Sequence, residues 1–182
     1  KVADLRNLQV SPSAEVGRGK RDLARLVQPL INALVSGDES GVWRIADSQK
    51  QAGCGIEEFC IDLLVPTMDK IGKEWQEGSR SIADEHRASA LVPSLLGRLR
   101  TTPRPSGRKR GLVIVGCPPT EEHSIPAAIF EELLRGRRFE VQNLGANTPP
   151  LSFVDVCEDA DRLVAVVFSV SVPTSLEGLR AS

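Results

Sequence analysis

The stretch GLVIVGCPPTEEHSIPAAIFEELL, residues 111–134, decides the fold of the carboxyl-terminal part of the chain. Leu112 to Val115 is an unbroken run of branched apolar residues, the pattern of a strand buried on both faces. A loop carrying Pro118 and Pro119 follows, and then an apolar helical segment from Ile125 to Leu134. The alternation repeats downstream as strand Val141 to Leu144, a helix from about Leu151 to Ala160, and the apolar strand Leu163 to Phe168. Parallel neighbours need a crossover between them, so this alternation predicts a Rossmann-like (flavodoxin-like), doubly wound α/β sheet over residues 111–182.

Upstream, residues 101–110 hold two prolines, a glycine and the basic residues Arg104, Arg108, Lys109 and Arg110, the composition of a solvated interdomain linker. Before it the periodicity is helical. Leu23, Leu26, Val27, Leu30, Ile31 and Leu34 form the stripe of an amphipathic helix, with Gly37 as its carboxyl-terminal cap. Asp38 is placed to cap a second helix running to about Ala52, with Val42, Trp43, Ile45 and Ala46 inward. A third helix is expected from about Ile56 to Gln76, kinked at Pro66, with Phe59, Leu63, Leu64, Met68, Ile71 and Trp75 inward. A fourth runs from about Ala83 to Leu99, burying Ala88, Leu91, Leu95, Leu96 and Leu99. Four helices with short connections predict an all-α four-helix bundle over residues 20–100, so the chain reads as two-domain. Residues 1–19 have no clean period and read as a tail or linker.

The charges nearly cancel, 23 Lys plus Arg against 24 Asp plus Glu, so no global field marks a nucleic-acid or membrane binder. No segment approaches the roughly 18 to 20 apolar residues of a membrane span, and no signal-like apolar core follows the first residues. A cytoplasmic protein without membrane partners is the expectation. Cys54, Cys60, Cys117 and Cys157 lack the spacings of a zinc knuckle or disulfide framework and read as free, mostly packed thiols.

Only two histidines occur, and each stands beside carboxylates. His123 falls in the loop after the first strand, at the carboxyl edge of the sheet, where doubly wound folds place ligands. There an imidazole can give one ring nitrogen to a metal while the other is fixed by a carboxylate, and Glu121 is the natural partner. A partly exposed loop histidine is the plainer alternative. Likewise Trp75, Glu85 and His86 read, on their own, as a core aromatic and a polar helix start.

Together these residues carry a resemblance. Glu121-x-His123 resembles the Asp-x-His-x-x-Gly motif of cobalamin-binding domains, with glutamate for aspartate and Pro126 for the glycine. The run Leu144, Gly145, Ala146, Asn147, Thr148, Pro149 is similar to the Leu-Gly-x-x-x-Pro loop of that family, and Ser169, Val170, Ser171 to its serine position. Trp75, nine intervening residues, then Glu85 and His86 resemble the signature of the cobalamin-dependent photoreceptor regulators related to the MerR family. The resemblance covers roughly residues 20 to 176. It implies His123 as the lower axial ligand of cobalt and Gly145, Thr148, Ser169 and Ser171 around the nucleotide tail. It also implies Trp75, Glu85 and His86 on the upper face of adenosylcobalamin, the indole covering the adenosyl group and the carboxylate accepting from ribose hydroxyls. Gln76 stands where those photoreceptors carry a second histidine. The sheets of cobalamin-binding domains also run on for two more strands, so the sheet in these residues is expected to be incomplete, truncated at the carboxyl-terminal end.

The reading that follows is a sensor and not an enzyme. Adenosylcobalamin-dependent light sensing would regulate transcription through changed self-association, with a homo-oligomer as partner, possible protein partners, and DNA met only through a module outside these residues. A corrinoid methyl carrier of a methyltransferase system and a degenerate interaction module that binds no cobalamin are the alternatives.

Overall fold

The computed structural model describes residues 22–100, 107–172 and Ser175. The expected tail at residues 1–19 and most of the basic linker, Arg104 included, lie outside the described residues.

The helical part begins with a 3-10 turn, Ala24–Leu26, leading into α1, Val27–Ser36. Gly37 ends α1 at φ 71°, a left-handed conformation that costs glycine little, and a Cβ there would stand 3.0 Å from the Arg87 side chain. Asp38 caps α2, Glu39–Gln51, its carboxylate accepting from the Gly41 amide at 2.9 Å. The third helical path is α3, Ile56–Phe59, a π turn at Cys60–Leu64, and α4, Val65–Gln76. A kink was expected at Pro66, and the irregularity lies just before it. Proline has no amide to donate and crowds the carbonyl four residues back, and a widened π turn accommodates both. Thr67 donates its hydroxyl to the Leu63 carbonyl at 2.7 Å inside that turn. Helix α5, Ile82–Leu99, is capped by Ser81 and tolerates Pro93 on its exposed side.

Leu30, Ile31, Leu34, Val42, Ala46, Phe59, Leu63, Leu64, Ile71, Val92, Leu95 and Leu96 are buried together. Met68, Trp43 and Ile45 are half-buried and pack against this core as expected. Trp75, in the last turn of α4, differs from the inward reading and is 41% exposed.

In the α/β part β1 is Leu112–Gly116, α6 Ile125–Gly136, β2 Glu140–Asn143, α7 Pro150–Glu158 and β3 Leu163–Phe168. The three strands are parallel in the order β2-β1-β3, with Val113 opposite Val141 on one side and Ala165 on the other. The two crossovers travel in opposite directions across β1, and right-handed connections then put α6 and α7 on opposite faces. Val113, Val115 and Cys117 pack toward Ala127, Phe130 and Leu134 of α6. Gly116 points the other way, and a Cβ there would lie 2.7 Å from the Phe153 ring of α7.

Helix α6 has a second apolar side. Ile129 is buried in the helical cluster, and Ile125, Ala128 and Leu133 pack against it. The helix is therefore sandwiched between the sheet and the helical part, which accounts for the burial of its polar residues Glu131 and Glu132.

Candidate functional site

Loop 117–124 crosses the carboxyl end of β1 and enters α6, whose first turn holds Pro126. It is stitched to the loop after β2 by backbone bonds. The Cys117 amide donates to the Gly145 carbonyl and the Thr148 amide to the Cys117 carbonyl, each at 2.9 Å, and the Asn147 amide donates to the Glu121 carbonyl. Thr120, at φ 70°, donates its amide to Asn147 Oδ1 at 2.9 Å. Asn147, in sequence only a member of the Leu-Gly-x-x-x-Pro-like loop, ties that loop to the histidine loop through both its amide and its side chain.

Within this frame Glu121 is fully buried and His123 projects with its side chain 56% exposed. Glu121 Oε1 accepts from the His123 amide at 3.0 Å and lies 2.6 Å from His123 Nδ1. Its other oxygen accepts from the amides of Ser171 at 2.6 Å and Val172 at 3.2 Å. Burial alone would raise the carboxyl's pKa, yet the amide donors of Ser171, His123 and Val172 and the imidazole outweigh it and leave Glu121 below the usual carboxylate range. An ionised carboxylate can only accept, so the proton of a neutral His123 is assigned to Nδ1 and the lone pair to Nε2. That is the arrangement of a metal-ligating imidazole oriented by a carboxylate.

Among the described residues no three of His, Cys, Asp and Glu gather into a metal-holding group. His123, its Nδ1 held by Glu121, offers one ring nitrogen, and a lone imidazole donor suits a metal whose other ligands would come from a macrocycle. The donor set fits a cobalt corrinoid in this respect.

The other predicted residues take distinct places. Gly145, at φ 82°, accepts from the Cys117 amide on its carbonyl and donates its own amide to Asn143 Oδ1 at 3.0 Å. Thr148 is buried and turns its hydroxyl back onto the Leu144 and Gly145 carbonyls, at 3.2 and 3.3 Å. Ser169 donates its amide to Gly116, and its hydroxyl hydrogen-bonds the buried Cys117 thiol, whose pKa burial raises. Ser171 meets the site through its amide on Glu121.

Trp75, Glu85 and His86 form a second group at the α4–α5 junction. Glu85 accepts from Ser89 Oγ at 2.6 Å and lies 2.7 Å from His86 Nδ1, while His86 is 71% exposed. The turn between them is braced by Glu74, whose carbonyl accepts from the Ser79 and Arg80 amides and whose carboxylate pairs with the Arg80 guanidinium. In sequence this brace reads only as a polar spacer, because its bonds depend on how the turn folds back. Among the described residues no hydrogen bond joins this group to the His123 group.

Residues 26–100 match the family model described as B12 binding domain, which meets the resemblance read from the sequence over the helical part. Over 125 residues, 68% of this chain, the sequence is 27% identical to the HTH-type transcriptional repressor CarA of Myxococcus xanthus, and the match spans 40% of that repressor. It is 22% identical over 158 residues to the dimethylamine corrinoid protein of Methanosarcina barkeri, covering 86% of this chain and 73% of that protein. The structure of the Methanosarcina barkeri monomethylamine corrinoid protein superposes with a TM-score of 0.70 at 16% identity, covering 84% of this chain and 72% of that one. That likeness establishes the shared fold: a helical part followed by a parallel sheet.

Proposed function

We propose that this chain binds a cobalamin, with His123 as the lower axial ligand of cobalt, and acts as an adenosylcobalamin-dependent light sensor that regulates transcription through changed self-association. The observation that carries the reading is the half-exposed imidazole of His123, held through Nδ1 by a fully buried carboxylate at the carboxyl edge of the sheet. The family match over residues 26–100 and the similarity to a transcriptional repressor support it. A bound corrinoid would supply a cobalt–carbon bond whose carbon group can be released or passed to an acceptor.

The chain's own residues have separable tasks. Glu121 keeps the proton on Nδ1 and so keeps Nε2 available. Gly145, Thr148, Ser169 and Ser171 are assigned to the nucleotide tail on the sheet side. Trp75 presents a partly exposed indole at the end of α4, and Glu85 and His86 stand near the start of α5, an arrangement that suits a large upper ligand such as adenosyl. A switch needs contacts that differ between two states, and loss of the upper ligand from Trp75 supplies that difference. The exposure of Trp75 also argues against its being an ordinary core aromatic.

The corrinoid carrier of a methyltransferase system is the second reading, favoured by the match to the dimethylamine corrinoid protein over most of both chains. One experiment separates the two. The chain is purified in the dark with adenosylcobalamin, its absorbance is recorded, and its size is measured before and after illumination. A light-dependent change of size supports the sensor. Methyl transfer from bound methylcobalamin to a partner enzyme, with no effect of light, supports the carrier, and absence of any bound corrin overturns both. His123→Ala is expected to abolish the spectrum of histidine-ligated cobalt, and Trp75→Ala to weaken preference for the adenosyl form. Unchanged spectra in both variants would refute the site.

A further inference from the structure

At the opposite, amino edge of the sheet, the two turns that feed β1 and β2 gather unpaired cations. Arg108, Lys109 and Arg110 lead into β1, and Arg138 stands in the turn before β2. The Arg110 amide donates to the Arg138 carbonyl at 3.1 Å, and Arg138 Nη1 lies 3.1 Å from where a Cβ on Gly107 would stand, so the two turns are neighbours. Among the described residues none of these four cations has a carboxylate within ion-pair distance, whereas Arg135, Arg137 and Arg162 nearby are each paired. Arg138 also occupies φ 68°, a left-handed conformation that glycine would adopt at less cost. A cation is kept there where the turn itself favours its absence.

We propose that this edge is a contact surface for the phosphate backbone of duplex DNA, beyond the reading in which DNA is met only by a separate module. Three of the four cations are arginines, whose planar fork matches phosphate oxygens. The aromatic ring at this edge, Phe139, is covered by the Arg110 guanidinium 4.5 Å away, so the patch offers charge without the aromatic anchor a peptide partner uses. The chain is nearly neutral overall, and screening at physiological salt acts over about 8 Å, so the patch works by contact and not by long-range steering. Asp159 and Asp161 precede β3 and so stand at the same, amino edge of the sheet.

The test is fluorescence anisotropy of the full chain with a labelled duplex of arbitrary sequence, at salt from about 50 to 200 mM. Four phosphate contacts predict a slope of log K against log salt of about −3.6, roughly a 150-fold loss over that range. Arg138→Gly keeps the turn and is expected to reduce the slope by about 0.9, and Arg108→Gln to do the same. The combined variant R108Q/K109Q/R110Q/R138G should bring the slope near zero while cobalamin binding stays as in the parent. Because Arg138→Gly and Arg108→Gln leave packing intact, they decide the matter even if the combined variant unfolds. Parent and single variants with equal slopes, no duplex binding at the lowest salt, or binding to phosphatidylserine-containing vesicles without binding to duplex would each overturn the proposal.

Discussion

Glu121 combines full burial with a pKa held below the ordinary carboxylate range, and only its ring of donors reconciles the two. A carboxylate whose folded pKa is depressed adds stability that is present above its unfolded pKa and lost as pH falls through the folded value. Glu121→Gln replaces an oxygen with an amide that cannot accept, leaving the amides of Ser171 and Val172 or of His123 short of a partner beside a fully buried side chain. We expect a loss of about 1–3 kcal/mol at neutral pH and a shallower acid limb, read from urea midpoints across pH. Equal midpoints for parent and variant at neutral pH would refute the assignment. The thiols give a second residue-scale test. Burial, with Glu132 and Cys54 nearby, pushes Cys60 up to about 12, and burial also raises Cys117. Cys54 and Cys157 are half-buried, so a thiol reagent should modify two cysteines quickly and reach Cys60 and Cys117 only on unfolding. At this scale the sequence showed the Glu-x-His pair because its members are two residues apart. It could not show Ser171 and Val172 as donors to the same carboxylate, since that contact closes across 50 residues and depends on strand order.

Among the elements, α6 has the most demanding surroundings, with the sheet on one side and the helical part on the other. Its sequence reads simply as an apolar helix, and periodicity could not assign two separate apolar faces to two separate partners. The consequence is a charge cluster at the seam. Arg100, closing α5, lies 2.5 Å from Glu132 and 3.5 Å from Glu131, and Glu131 also accepts from Arg135 and Asn143. Burial raises the pKa of Glu132, and Arg100 offsets part of that rise. A raised folded pKa means stability that is complete below the unfolded value and is lost as pH climbs through the folded one. Arg100→Ala removes the offset, so its cost should be larger at neutral pH than near pH 4. With Arg100 partly exposed, about 2–3 kcal/mol at neutral pH is expected, below the range for fully buried pairs. Replacing both, as R100M/E132L, should recover most of that loss, since apolar residues remove the charge that needs compensation. A double variant no more stable than Arg100→Ala would show that the pair contributes through something other than charge.

For the whole molecule, the alternation of strand and helix was enough to predict the parallel sheet, and the stripes were enough to place each helix within a few residues. What they left open was how the two parts join, because a reading by composition made residues 101–110 a solvated spacer and assigned nothing to the seam. The described structure places Ile129 of α6 inside the helical cluster, and Arg137 beyond it pairs with Glu57 of α3 at 2.7 Å. If one helix completes both cores, neither core is whole without the other, and the two parts should unfold in one step. The chain is well suited to this test, because both tryptophans, Trp43 and Trp75, are in the helical part while Cys117 is buried under the sheet. Tryptophan fluorescence and labelling of Cys117 should therefore report the same urea midpoint. Ile129→Ala, which opens a cavity at the shared position, should lower both midpoints together by an amount equivalent to about 2–5 kcal/mol. A fluorescence transition that precedes Cys117 labelling, or an Ile129→Ala effect confined to the tryptophans, would mean the parts fold independently. The ligand switch proposed above would then have to act through a joint looser than α6 implies, whereas a single transition makes α6 the element through which changes at Trp75 and at His123 are felt together.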